Sequence, residues 1–242
     1  HLFKNTERKD FSGIENWDVS NVINMAMMFA GCENFNQPLN KWDVSNVTNM
    51  SSMFAGCKNF NQPLNNWDVS NVTDMSRMFA ICENFNQSLN KWDVSNVTNM
   101  GSMFAGCENF NQPLNKWDVS NVTNMAMMFA GCKNFNQPLE NWDVSNVTNM
   151  KGMFMSGKVI SSRIPMLQEI LIIARDTYCS TIGFNQPLNK WNVSKVENMK
   201  NMFYNNKNFN QPLASWDVSN VKDMSDMFYC SAQNPLPYWY KG

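Results

Sequence analysis

The stretch Trp42-Asp-Val-Ser-Asn-Val-Thr-Asn-Met-Ser-Ser-Met-Phe-Ala-Gly-Cys57, followed by Phe60-Asn-Gln-Pro-Leu64, recurs along the chain with few changes. Trp17, Trp42, Trp67, Trp92, Trp117 and Trp142 mark it every 25 residues; Trp191 follows 49 residues later, and Trp216 restores the period. A fixed period of this length is the signature of a stacked-repeat protein. No single repeat can bury its apolar face, so neighbours must cover one another.

Two spacings alternate inside a repeat. Leu39, Trp42, Val44 and Val47 carry the first half. Trp42 and Val44 are two apart and point to one side of a short strand, with Asp43 and Ser45 on the other. Met50, Met53, Phe54 and Cys57 then lie at i, i+3, i+4 and i+7, the spacing of one face of a two-turn helix. Thr48 or Asn49 is placed to cap that helix, and Gly56 to end it. Pro63 turns the chain back towards the next strand. The predicted fold is therefore α/β: a solenoid of 25-residue repeats, each with a short parallel strand and a short helix.

The pattern Leu39-x-x-Trp42-x-Val44, continued by Val47-x-x-Met50-x-x-Met53-Phe54-x-x-Cys57, resembles a leucine-rich repeat. In its Trp-Asp-Val-Ser-Asn-Val-Thr-Asn-Met-Ser-Ser-Met-Phe core the sequence is similar to the BspA-like class of leucine-rich-repeat bacterial surface proteins, whose repeat occurs in surface lipoproteins. The likeness covers roughly residues 11–154 and 184–230. It implies a parallel-stranded solenoid displayed on the cell surface, with adhesion or host-protein binding and no catalysis.

Towards the ends the pattern frays. Residues 1–16 hold a broken copy in which Ile14 precedes Trp17 as Leu39 precedes Trp42, the expected form of an N-terminal cap. The chain starts without Met and mid-pattern, which reads as a processed or fragmentary product. Regular repeats fill 17–154 and 184–228. The aromatic and proline-rich tail within 229–242 is suited to covering the far end of the core, with a recognition tail as the competing reading. Residues 155–183 replace about one repeat's length with unrelated sequence. They read as a diverged repeat occupying one slot, a helical insertion looped out of the stack (Pro165 opening a helix to about Asp176), or a stretch read out of frame.

Composition narrows the function. A net charge of −1 argues against a general nucleic-acid or anionic-membrane binder. The longest apolar run, Ile170 to Ala174, is too short to insert in a bilayer. The one histidine is His1, and no nucleophile elbow, phosphate loop or pair of catalytic acids occurs, so neither an enzyme nor a cofactor is expected. Cys32, Cys57, Cys82, Cys107 and Cys132 share one position and read as buried free thiols, with disulfides and a metal site as the alternatives. Asp43, Asp68, Asp93, Asp118 and Asp143 share another, facing away from the tryptophans, with Lys41, Lys91 and Lys116 beside them. These acids either form an acidic stripe for calcium or a basic partner, or accept backbone N–H bonds within an Asp-x-Ser-Asn turn. The surface they define is the candidate binding face for a partner protein. The expected location is cell-surface or secreted, with a cytoplasmic protein-interaction scaffold of the same fold as the alternative.

Overall fold

The computed structural model describes residues 2–6, 8–161, 170–173 and 183–241. They form a stack of eight coils joined by parallel one-residue bridges through Asn24, Asn49, Asp74, Asn99, Asn124, Asn149, Asn198 and Asp223. The regular elements are a 3-10 turn at Ile14–Asn16 and two short strands, β1 (Lys158–Ser161) and β2 (Ile170–Ile173). The predicted strand and helix in every repeat are thus absent from the described coils, and the leucine-rich-repeat-like α/β reading is corrected.

The hydrogen bonds of the second coil show why. From Met50 to Cys57 the amides alternate between two duties. Met50, Ser52, Phe54 and Gly56 donate forward to the carbonyls of Asp74, Ser76, Met78 and Ala80 in the next coil, at 2.7 to 3.0 Å. Met53, Ala55 and Cys57 donate backward to Met50, Ser52 and Phe54 in their own coil, closing consecutive four-residue turns. The remaining amide, Ser51, is taken by the Asn49 side chain at 2.8 Å. Every donor is used and none is left for an α-helical i→i−4 bond. The reason is spacing. Bridged coils sit about 4.8 Å apart, whereas packed helices need about 8–10 Å. Bridges and stacked helices therefore do not fit the same interval without strong curvature.

The backbone bends to suit. Ser52 and its equivalents Met27, Arg77, Ser102, Met127, Gly152, Asn201 and Asp226 have φ between 55° and 60°, which no α-helix accommodates. Gly56 has φ 79°, and that position is glycine in four of the first five coils. The apolar spacing nevertheless names the core correctly. Met50, Met53, Phe54 and Cys57 are all fully buried, because three- and four-residue steps through successive turns return side chains to one side as a helix would.

The predicted strand half is also made of turns. Trp42 N–H donates to Leu39, and Val47 N–H to Val44. Its sidedness holds: Trp42 and Val44 are buried and Asp43 is exposed. From Trp42 onward each repeat tryptophan also donates its indole N–H to the previous coil, as Trp67 does to the Leu39 carbonyl at 2.9 Å. Inside the stack the rings form continuous columns. Phe54 lies 4.2 Å from Phe60 in its own coil and 5.7 Å from Phe79 in the next, all near parallel. Buried phenyl and indole surface, with these offset stacks, is the main favourable term.

The column passes straight across the irregular segment. Asn149 bridges Asn198, Trp191 donates to the Leu139 carbonyl at 2.9 Å, and Phe154 stacks on Phe203 at 5.8 Å. Coils six and seven are therefore neighbours like any others, and the segment branches off between them. In it β1 and β2 pair antiparallel, Lys158 opposite Ile173 and Ser161 opposite Ile170. Where a helix is predicted from Pro165 to Asp176, residues 170–173 form a strand. The rest of that expectation lies outside the described residues.

At the N-terminal end Phe3 and Asn5 donate to Met28 and Ala30, and Phe3 stacks on Phe29 at 5.7 Å, as part of a further coil would. At the other end Trp239 takes the tryptophan position. It donates to Leu213 at 2.9 Å and lies 6.2 Å from Trp216, while Tyr240 meets the edge of Phe228 at 5.0 Å.

Candidate interaction surface

The exposed face beside the tryptophans is built by one turn repeated. Asp43 Oδ1 accepts the Ser45 N–H at 3.1 Å and the Ser45 hydroxyl at 2.6 Å. Asp68 and Asp93 repeat both bonds, and Asp118 and Asp143 repeat the backbone bond at 3.0 Å. The turn role read from the Asp-x-Ser-Asn motif is thus formed in each coil. One carboxylate oxygen is committed and the side chain is fixed with its charge outward.

Stacking brings these acids into one column. The bonds from Ser45 and Ser70 pull the Asp43 and Asp68 carboxyls below the ordinary value of 3.8. The charge of the neighbouring coil pushes back: Asp18 on Asp43, and Asp43 on Asp68. Hydrogen bonding outweighs repulsion, so these groups stay ionised at neutral pH. Asp143 is lowered in the same way by Ser145.

Lys41, Lys91 and Lys116 are exposed on this face, and none makes an ion pair among the described residues. Lys91 borders a shallow groove with Asp68 and Asp93, and its backbone N–H is held by Asn65 at 3.2 Å. Next along the chain, Asn46 donates its amide N–H to the Ser20 carbonyl at 2.8 Å. Asn71, Asn96, Asn121 and Asn146 do the same to the coil before them. These ladders hold the face rigid from coil to coil.

The cysteine column lies inside the core. Cys57, Cys82 and Cys107 are free and buried, and each thiol donates to a phenylalanine carbonyl of the previous coil at 2.9 to 3.1 Å. Desolvation holds all three thiols well above their ordinary value of 9.0, so they are not nucleophiles at neutral pH. Among the described residues no group of three or more His, Cys, Asp or Glu is placed to hold a metal ion. No helix among them is long and apolar enough to cross a membrane. His1 lies outside the described residues.

A second charged column escaped the sequence reading. Glu33, Lys58, Glu83, Glu108 and Lys133 follow the cysteines by one residue in successive coils, and Lys58–Glu33 (3.0 Å) and Lys133–Glu108 (2.7 Å) pair between coils. The signal was available, since the position is charged in five consecutive repeats. Aligning the repeats on their charged positions as well as their apolar ones would have exposed it.

A search of the curated proteins returns no match to this chain, and a search of the solved structures returns none. One family model, described as "Mycoplasma protein of unknown function, DUF285", matches three times, at residues 1–100, 82–167 and 172–239. With nearly the whole sequence covered by successive matches of one repeat model, the chain belongs to the DUF285 family of repeat proteins.

Proposed function

We propose that this chain is a non-catalytic protein-interaction module, displayed at a cell surface and binding a host or matrix protein across the aspartate–lysine face. The observation that carries the proposal is the uniform outer surface. Asp43, Asp68, Asp93, Asp118 and Asp143 present one chemistry in five successive coils, each fixed by its own turn. A long rigid row of this kind suits an extended partner, and stacked-repeat proteins characteristically bind through such extended surfaces. The resemblance of the repeat to BspA-like surface lipoproteins supports the placement outside the cell and the adhesive role.

The test has two parts. An impermeant amine-reactive label applied to intact cells should modify Lys41, Lys91 and Lys116; protection of all three until lysis sinks the surface reading. Cells or beads coated with the protein should then bind immobilised host matrix proteins in a salt-sensitive way, and a variant with the five aspartates changed to asparagine should lose that binding. Equal retention by the variant would remove the face from the mechanism. The free thiols favour a second reading, an intracellular scaffold of the same stack, because reduced cysteines suit a reducing compartment. Protection of the lysines in intact cells would select it.

A further inference from the structure

Strand β1 of the branch packs against the stack and lines a cleft there. Val159 of β1 is buried against coils four and five, seated on Gly106 and Gly131. A Cβ at these glycines would stand 3.0 Å and 2.6 Å from Val159 side-chain atoms, so the seat exists only because both side chains are absent. The cleft beside this contact has a volume of about 330 Å³, and its charged lining is Glu83, Glu108, Lys133 and Lys158.

Charge accounting sets the ligand class. Glu108 and Lys133 satisfy each other at 2.7 Å. Lys58, the lysine one coil before Glu83, is taken by Glu33 at 3.0 Å. Glu83 and Lys158 therefore line the same cleft as a carboxylate and an ammonium with no ion-pair partner among the described residues. A ligand with a single charge would meet its own sign in either Lys158 or Glu83. A small molecule carrying both charges satisfies the two together. The volume lies at the lower end of the range for small-molecule sites, the size of a short peptide.

The geometry points to this cleft as a binding site for a short zwitterionic peptide, with Glu83 receiving the ammonium and Lys158 the carboxylate. The site is separate from the aspartate–lysine face and does not depend on the function proposed for it.

Isothermal titration of the whole chain with glycylglycine, its N-acetyl form and its C-terminal amide tests the assignment. The dipeptide should bind saturably, and each blocked form at least about tenfold more weakly. Glu83→Gln should abolish discrimination against the N-acetyl form, and Lys158→Gln discrimination against the amide. Lys58→Gln, outside the cleft, should leave all three unchanged. Both diagnostic positions lie on the surface, so a circular dichroism spectrum equal to that of the parent will show that the stack is intact. Absence of saturable dipeptide binding up to about 10 mM, or binding indifferent to both substitutions, overturns the proposal.

Discussion

Truncating one ring in mid-stack should cut the protein in two. Phe104 is fully buried, 4.2 Å from Phe110 in its own coil and 5.8 Å from both Phe79 and Phe129 in the coils on either side. Phe→Ala at such a site costs about 3–5 kcal/mol, and the lost ring pairs push it to the upper end. We therefore expect about 5 kcal/mol for Phe104→Ala, a large share of the ~5–15 kcal/mol of a typical domain. If each coil is stabilised mainly by its neighbours, the loss falls on one junction. Phe228→Ala removes the same ring from the last coil, where Phe203 at 5.7 Å is the neighbour on one side and Trp239 and Tyr240 cover the other. That variant should fray the end and leave the main transition in place. Urea unfolding followed by tryptophan fluorescence measures the difference. Phe104→Ala should move the midpoint by about 1.7 M or split it into two transitions, given slopes of about 3 kcal/mol/M for a chain of this size. Hydrogen exchange should show the amides of Phe79 and Phe104, which bridge to Met103 and Met128, losing protection first. A single transition shifted by the same amount in both variants would refute the nearest-neighbour account.

Other perturbations separate the remaining contributions. Gly131→Ala should destabilise more than Gly56→Ala by about 1–2 kcal/mol in thermal unfolding. Both have positive φ, but a Cβ at Gly131 meets Val159 at 2.6 Å and the Gly157 carbonyl at 2.9 Å, while one at Gly56 finds nothing nearer than 3.5 Å. Thiol alkylation at pH 8, mapped by mass spectrometry, should mark exposed Cys230 quickly and Cys57, Cys82 and Cys107 only on unfolding. Burial raises the folded-state values of these thiols, and raises Cys32 to about 11, so only the unfolded chain releases protons just above pH 9. Stability should accordingly be full below pH 9 and fall above it, while the lowered Asp43, Asp68 and Asp143 cause a second decline as pH drops below 3.8; urea midpoints across pH 3 to 10 check both arms. Asn206 stands buried in the cysteine position with its side-chain oxygen unpaired among the described residues, so Asn206→Cys should stabilise by about 1 kcal/mol in the same urea assay.

The tryptophan period made the stack legible, and the apolar spacing made the core legible, because burial depends only on which side a residue faces. The backbone path was not legible, and the reason lies in Ser52. A serine at φ 55° carries no local signal, and the same position is Met27, Arg77 or Asp226 in other coils. The left-handed turn there is imposed by hydrogen bonds to the next coil, a partner 24 residues away such as Ser76 for Ser52. Local propensity reads Met50 to Cys57 as helix, since i, i+3, i+4 and i+7 fit both a helix and a chain of overlapping four-residue turns. Only the donor count separates the two, and the donors are spent between coils.

The candidate site divides along the same line. Asp43 and Ser45 are two residues apart, so their turn could be read from the chain alone. Glu83 and Lys158 are 75 residues apart and line one cleft because β1 packs back onto Gly106 and Gly131. A length of nearly one period makes a diverged repeat in one slot only one of three readings of the branch, beside an insertion looped out of the stack and an out-of-frame stretch. The stack treats it as no coil at all: the Asn149–Asn198 bridge and the 5.8 Å ring contact of Phe154 with Phe203 reproduce what adjacent coils make elsewhere. Length alone therefore does not assign a segment to the repeat. What assigns it is whether its amides meet the carbonyls of both neighbours, and at this junction those carbonyls, from Asn198 to Tyr204, are already taken by Met150, Gly152, Phe154 and Ser156.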